Sequence, residues 1–369
     1  EGIYHATSIV CEIPSGAAAD LWGRKRCMVL SNLCIAVSCV IMLFSKSFGW
    51  FAVSFAVQAL GNNLNSGSEE ALVYDSMKCL GQEEHYMGVY GRLNVLIEVA
   101  QGLATVAGGV LAEFSYFWCY AACVVIAVLA LLPVLGMAEP PQCGKAADTA
   151  GGSAKDAPAE GTPAQRTIWE TVKHHFAVSA CILQKDAKIG KIIGFYSVVF
   201  AAHTLLFFYS QQYFADFGYN KVQISVIMLL VGGASCLGAL ASEKMYRRFG
   251  KRCLIPETVI IAAAILCYGS GKAGVAAAAL MCAGFANAAL YPIQSDSLNA
   301  LIPSEQRATL ISVDSMCFSI AMIVLFPLAG ALADRWGLKT VLLLLGAILL
   351  LFLLTVFCIE KESFSSDHS

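Results

Sequence analysis

Polar and apolar positions in this chain come in long blocks rather than in alternation. Mostly apolar runs fall at about 3–19, 27–45, 50–73, 87–112, 115–137, 189–210, 221–241, 253–271, 273–295, 308–332 and 338–358. An α-helix needs roughly 20 such residues to cross the hydrocarbon core of a bilayer. Strands of a membrane barrel would be shorter and would alternate in polarity. The pattern therefore predicts an all-α polytopic membrane protein with about eleven spans.

One block differs in kind. PPQCGKAADTAGGSAKDAPAEGTPAQ, residues 140–165, is rich in Ala, Gly and Pro and reads as a solvated linker. TIWETVKHHFAVSACILQK follows, with Ile168, Val172, Phe176 and Leu183 at roughly helical spacing. It predicts a short amphipathic helix at the membrane surface, with His174 and His175 on or beside its wet face. The chain thus divides into a helical bundle over 1–139, a linker over 140–187, a second bundle over 188–360 and a tail over 361–369.

Composition agrees with that class. Hydrophobic residues make up 58% of the chain and charged residues 14%, with a mean hydropathy of +0.68. A soluble domain carries about a quarter charged residues. Net charge is −2, which gives no footing for a nucleic-acid partner. The 15 cysteines are scattered singly with no CxxC pair, so they read as small packing residues and predict neither a zinc site nor a disulfide frame. No HExxH, GxSxG or phosphate-loop pattern is present, and YGSGKAG (268–274) lacks the upstream glycine a phosphate loop requires. Neither an enzyme nor a cofactor is expected.

Lysine and arginine orient the helices. With Arg24, Lys25 and Arg26 placed on the cytoplasmic side, alternation puts 19 of the 24 basic residues on that side. The linker and the C-terminus then lie in the cytoplasm. Five spans precede the linker and six follow it. Glu1 is not a methionine, so a further helix is expected upstream of this chain, giving six and six.

The halves repeat one another in order. GRKRCMVL (23–30) matches GKRCLI (250–255), and DSMKCLGQEE (75–84) matches DSLNALIPSEQ (296–306). GRLNVLIE (91–98) matches QRATLISVD (306–314), and GGVLAEF (108–114) matches AGALADRWG (329–337). Repeats of this kind build transporters with a site near the bilayer midplane.

The stretch GAAADLWGRKR (16–26) holds the most conspicuous charge. Gly16, Asp20, Gly23, Arg24 and Lys25 fit G-x-x-x-D-x-x-G-R-K/R, the loop motif of the major facilitator superfamily, and Arg26 extends the basic run. GALASEKMYRRFGKR (238–252) looks like a degenerate second copy. EIPSGAAADLWGRKR and SGSEEALVYDS are similar to a bacterial, drug-exporter-like branch. The resemblance covers nearly the whole chain. It implies two six-helix bundles and a loop that latches and releases as the protein alternates its opening. The latch residues would be Gly16, Asp20, Gly23, Arg24, Lys25, Arg26, Asp75 and Arg92. Gly250, Lys251, Arg252, Asp296 and Arg307 stand at the matching places in the second half. The bland alternative is that GRKR only fixes topology.

Glu12, Glu69, Glu70, Glu98 and Asp314 lie within apolar spans. Ionisable groups there are costly and are candidate functional groups, here for proton coupling. The alternative is that they pair with Arg92, Arg307 or backbone amides to hold helices together. The resemblance points to Asn62, Asn63, His203, Tyr209, Asn287, Tyr291 and Gln294 as lining a substrate cavity. His-rich or Arg-rich cavity helices are absent, which disfavours an anionic substrate. Antiporters of the family often carry a Gly-Pro-rich motif in the fifth helix, ending G-P-x-x-G-G. ATVAGG (104–109) keeps Gly108 and Gly109 without the proline. The expectation is a monomeric, proton-coupled carrier in the plasma membrane, exporting amphipathic or cationic small molecules. Uptake of a sugar or other polar nutrient, and a sensor that binds without cycling, remain open.

Overall fold

The computed structural model describes residues 1–82, 85–139, 187–250, 254–300 and 307–366. The predicted linker and its amphipathic helix lie outside the described residues, as do Lys251 and Arg252. Among the described residues there are eleven α-helices and no strand. They are α1 (Gly2–Trp22), α2 (Arg24–Phe44), α3 (Phe48–Cys79), α4 (Tyr86–Phe114) and α5 (Tyr116–Gly136), then α6 (Ala187–Asp216), α7 (Lys221–Phe249), α8 (Leu254–Cys267), α9 (Ala273–Ala300), α10 (Arg307–Trp336) and α11 (Leu338–Ser366). A 3-10 turn, Tyr268–Ser270, extends α8.

Each predicted span falls on one helix. Eight of the eleven are long and apolar enough to cross a membrane: α2, α4, α5, α6, α7, α9, α10 and α11. The sequence of α3 is interrupted by GNNLNSGSEE, and that of α1 carries Glu12, Pro14 and Asp20. The apolar part of α8 is shorter. Helix ends run past the apolar spans, since backbone hydrogen bonding continues where the side chains turn polar. Thus α3 reaches Cys79, α7 reaches Phe249 and α11 reaches Ser366.

The chain divides into two compact units. The first holds Ile3–Gln101 and the chain from Ser115 onward through α5; the second holds Gly102–Phe114, the outer part of α4, together with α6 to α11. In the first unit, α2 packs mainly on α3 and on α5. Gly61 lets the first two approach: a Cβ there would sit 3.1 Å from the Ser31 carbonyl oxygen. Farther along, Ser38 Oγ donates to the Ser54 carbonyl (3.0 Å) and Ser54 Oγ to the Ser38 carbonyl (2.9 Å), a reciprocal clamp. Small residues and hydroxyls hold apolar helices together where hydrophobic burial gives little drive.

In the second unit α8 packs on α9 and α11, repeating the α2–α3–α5 arrangement six helices later. That match is the structural counterpart of the sequence repeat. The main core joins Leu206 of α6, Ile261 and Ile265 of α8, Leu280 and Ala283 of α9 and Leu342 of α11, all buried. The tightest seam is α7 against α9. Gly238 lies on the Phe285 carbonyl, and one turn later Ser242 Oγ donates to the Ala289 carbonyl at 2.9 Å. At the start of α7 the Lys221 backbone N–H donates to the Glu113 carboxylate, and its ammonium donates to the Ala112 carbonyl at the end of α4. Each charge meets a helix end of opposite polarity.

Candidate functional site

The basic run sits at the sharp turn between α1 and α2. Gly23 makes that turn at φ 96°, ψ 150°, a region open essentially to glycine alone. Directly after it, the backbone N–H groups of Arg24 (2.7 Å) and Lys25 (2.9 Å) donate to the Glu139 carboxylate. Helix N-termini leave such donors unsatisfied, and an anion there also meets the positive end of the helix dipole. The Lys25 ammonium in turn donates to the Leu135 carbonyl (2.8 Å) in the last turn of α5. The Arg24 guanidinium pairs with Asp75 near the end of α3. Arg26 is exposed. Three helices and residue 139 thus meet in one charge cluster.

Gly250 ends α7 at φ 59°, a second helix-terminating glycine of positive φ before a basic stretch. Arg92 is exposed on α4. At Gly16, Asp20, Glu70, Asp296 and Arg307 only the helical backbone is described.

In the first unit two of the polar cavity candidates tie α3 to α1. Ser8 Oγ donates to Asn63 Oδ1, and Asn63 Nδ2 donates to the Ser8 carbonyl, both at 3.0 Å. Asn62 Nδ2 donates to the Tyr4 hydroxyl at 2.9 Å. Glu69 accepts from Asn65 Nδ2, one turn before it on α3 (2.9 Å). Glu12 is half-buried on α1 and Glu98 is exposed on α4. Neither has an ion-pair partner among the described residues.

The second unit brings two candidates together. Gln294 of α9, itself buried, donates through Nε2 to both oxygens of Asp314 on α10, at 3.0 and 3.1 Å. Among the described residues the carboxylate is therefore held by a neutral amide. His203 Nε2 on α6 and Asn287 Oδ1 on α9 are buried with no hydrogen-bond partner among the described residues. Such atoms lose their water without replacement. Tyr209 donates to the Phe326 carbonyl at 3.2 Å. Tyr291 is 62% exposed, with its ring against Phe200. Among the described residues no group of three or more His, Cys, Asp or Glu side chains is placed to hold a metal.

The sequence matches the family description "Major Facilitator Superfamily" over residues 2–313 and again over 258–367. The chain belongs to the major facilitator superfamily. An uncharacterized transporter of Buchnera aphidicola subsp. Schizaphis graminum is 27% identical over 132 residues, which is 35% of this chain and 32% of the relative. The match thus spans about a third of that relative's length. The crystal structure of the nucleoside transporter NupG shares the fold at a TM-score of 0.73 and 14% identity, covering 98% of this chain and 90% of that one. The D-xylose-proton symporter does so at 0.70 and 14%, covering 95% and 85%. The human organic anion transporter MFSD10 (TETRAN) does so at 0.58 and 20%, covering 96% and 83%. Identities this low establish the fold alone.

Two acids that bear on this superfamily fold were not singled out by the sequence reading. Glu139 closes the predicted first bundle and lies 115 positions from the amide it caps. Glu257 follows Pro256 near the start of α8, inside the predicted span 253–271; it is 1% exposed, and neither carboxyl oxygen has a hydrogen-bond partner among the described residues. A buried acid without a partner adds no stability of its own. Glu257→Gln is expected to leave thermal stability in detergent within about 1 kcal/mol of the parent or to raise it. A loss of more than that would show that the carboxyl has a structural role in this unit.

Proposed function

We propose that this superfamily member is a secondary active transporter of the plasma membrane, coupled to protons and exporting amphipathic or cationic small molecules. Its linker and C-terminus are cytoplasmic, as the distribution of lysine and arginine favours, and it works as a monomer. The observation that carries the reading is the set of acids on apolar helices that lack a cation. Glu12, Glu98 and Asp314 have no ion pair among the described residues. The alternative is that these acids pair with Arg92, Arg307 or backbone amides and only hold helices together. Acids without a cation can instead accept a proton or a cationic substrate. Asn287 and His203 offer the polar contacts and the aromatic side chains of α6 and α9 the apolar ones. The Arg24–Asp75 pair serves as the latch.

The test uses inside-acid, inside-out vesicles carrying the full-length protein and a pH dye, with lipophilic cations added one at a time. The expected result is cation-dependent collapse of the gradient, lost when Glu12 and Glu70 are both replaced by Gln. Coupled flux that survives the double replacement would remove these two residues from the proton path. No response to any cation, from folded and inserted protein, would favour the second reading, proton-linked uptake of a polar nutrient. That reading draws on the fold shared with the D-xylose-proton symporter and on the missing proline in ATVAGG. Binding without flux would mark a sensor.

A further inference from the structure

A groove of about 780 Å³ opens beside the charge cluster, within the first unit, between the start of α2 and the end of α5. Trp22, Lys25 and Arg26 form its polar end, and Leu30, Leu33 and Leu135 line the remainder. We propose that this groove binds one anionic phospholipid, with the phosphate on Arg26 and Lys25 and an acyl chain along α2.

Charge is the first argument. The Glu139 carboxylate in the groove wall is already engaged by two backbone N–H groups. Lys25 gives one bond to Leu135 and keeps further donors on the same ammonium. Arg26 has no ion-pair partner among the described residues. A guanidinium in that position matches a phosphate, which it can bind with two parallel N–H donors.

Shape is the second argument. Leu30, Leu33, Val37, Val40 and Phe44 recur every three or four residues on α2 and are all at least 38% exposed. They form one uninterrupted apolar stripe leading away from the cations. A free phosphate or a soluble phosphate ester would leave this stripe unused, whereas an acyl chain covers it. Trp22, 54% exposed at the polar end, stands where the membrane–water interface favours tryptophan. Basic pockets beside membrane helices are a recurring headgroup site, and the volume falls within the roughly 300–1,000 Å³ of small-ligand sites.

Trp22 supplies the reporter. The full-length protein is reconstituted in phosphatidylcholine vesicles containing brominated phosphatidylglycerol or brominated phosphatidylcholine. Its Trp22 emission is taken as the difference from Trp22→Phe. The expected result is half-quenching at a roughly fivefold lower mole fraction of the anionic lipid, the preference that one basic side chain at a charged interface confers. Arg26→Gln should cut that preference severalfold, leaving only what Lys25 supplies, and Arg26→Lys should keep most of it, which separates charge from misfolding. Excess glycerol phosphate should not relieve the quenching. Equal quenching by both lipids, an undiminished preference in Arg26→Gln, or relief by glycerol phosphate would each overturn the proposal. So would protection of Trp22 from both lipids, which would mean that protein, and not lipid, fills the groove.

Discussion

Replacing Gly238 with alanine is expected to cost the second unit about 3 kcal/mol of stability, the upper range for overpacking a tight seam. The cause is the backbone contact between α7 and α9. A Cβ at Gly238 would lie 2.1 Å from the Phe285 carbonyl oxygen and 2.8 Å from its carbon. No side-chain rotamer can relieve this, because the obstructing atoms are main chain in the middle of a helix. The helices must separate, and their separation also stretches the Ser242–Ala289 hydrogen bond one turn away. Thermal unfolding in detergent, followed by tryptophan emission, measures the loss. Gly232→Ala on the same helix is the control, since nothing lies within 4 Å of a Cβ there. It should be neutral or slightly stabilising, because alanine favours helix over glycine. Equal effects from the two substitutions would mean that general helix propensity matters and the α7–α9 seam does not.

Gly23→Ala should be nearly as damaging, through strain and a lost cap together. Backbone at φ 96°, ψ 150° costs a residue with a side chain about 1–3 kcal/mol. The new methyl group would also stand 3.1 Å from Glu139 Oε1 and push away the carboxylate that caps α2. Loss of a helix cap costs about 1 kcal/mol. The two effects share the Glu139 contact, so they should not add. In a double-mutant cycle with Glu139→Ala, the double variant should lose less stability than the sum of the single variants. Strict additivity would show that Glu139 does not feel the turn.

How far the sequence discloses this molecule depends on the range of each interaction. Apolar run length places all eleven helices, since crossing a bilayer is a local property of about 20 residues. The turn at Gly23 and the basic residues after it are legible too, because glycine, charge and spacing all act within a few positions. The partners are less legible. Asn62 and Asn63 read as cavity residues because α3 is unusually polar, but the hydroxyl of Tyr4 and the main chain and hydroxyl of Ser8 take them up in the structure. Asp75 was named as a partner through family resemblance, and only the fold brings it to Arg24. Glu257 shows the opposite failure. Its neighbours in sequence are a proline and a threonine at a helix start, and its burial comes from helices far along the chain.

The cap on α2 also sets an order of assembly. Arg24 and Lys25 emerge from the ribosome more than a hundred residues before Glu139, their acceptor. Translation at roughly 5–20 residues per second makes that interval several seconds or more. Until then the Arg24 and Lys25 backbone N–H groups lack their carboxylate acceptor, although Asp75, the acceptor for the Arg24 guanidinium, has already been made. The turn therefore acquires its full set of contacts only once Leu135 and Glu139, at and just beyond the end of α5, are in place. A ribosome stalled before residue 139 should therefore hold a correctly oriented α1–α2 hairpin whose turn is still soft.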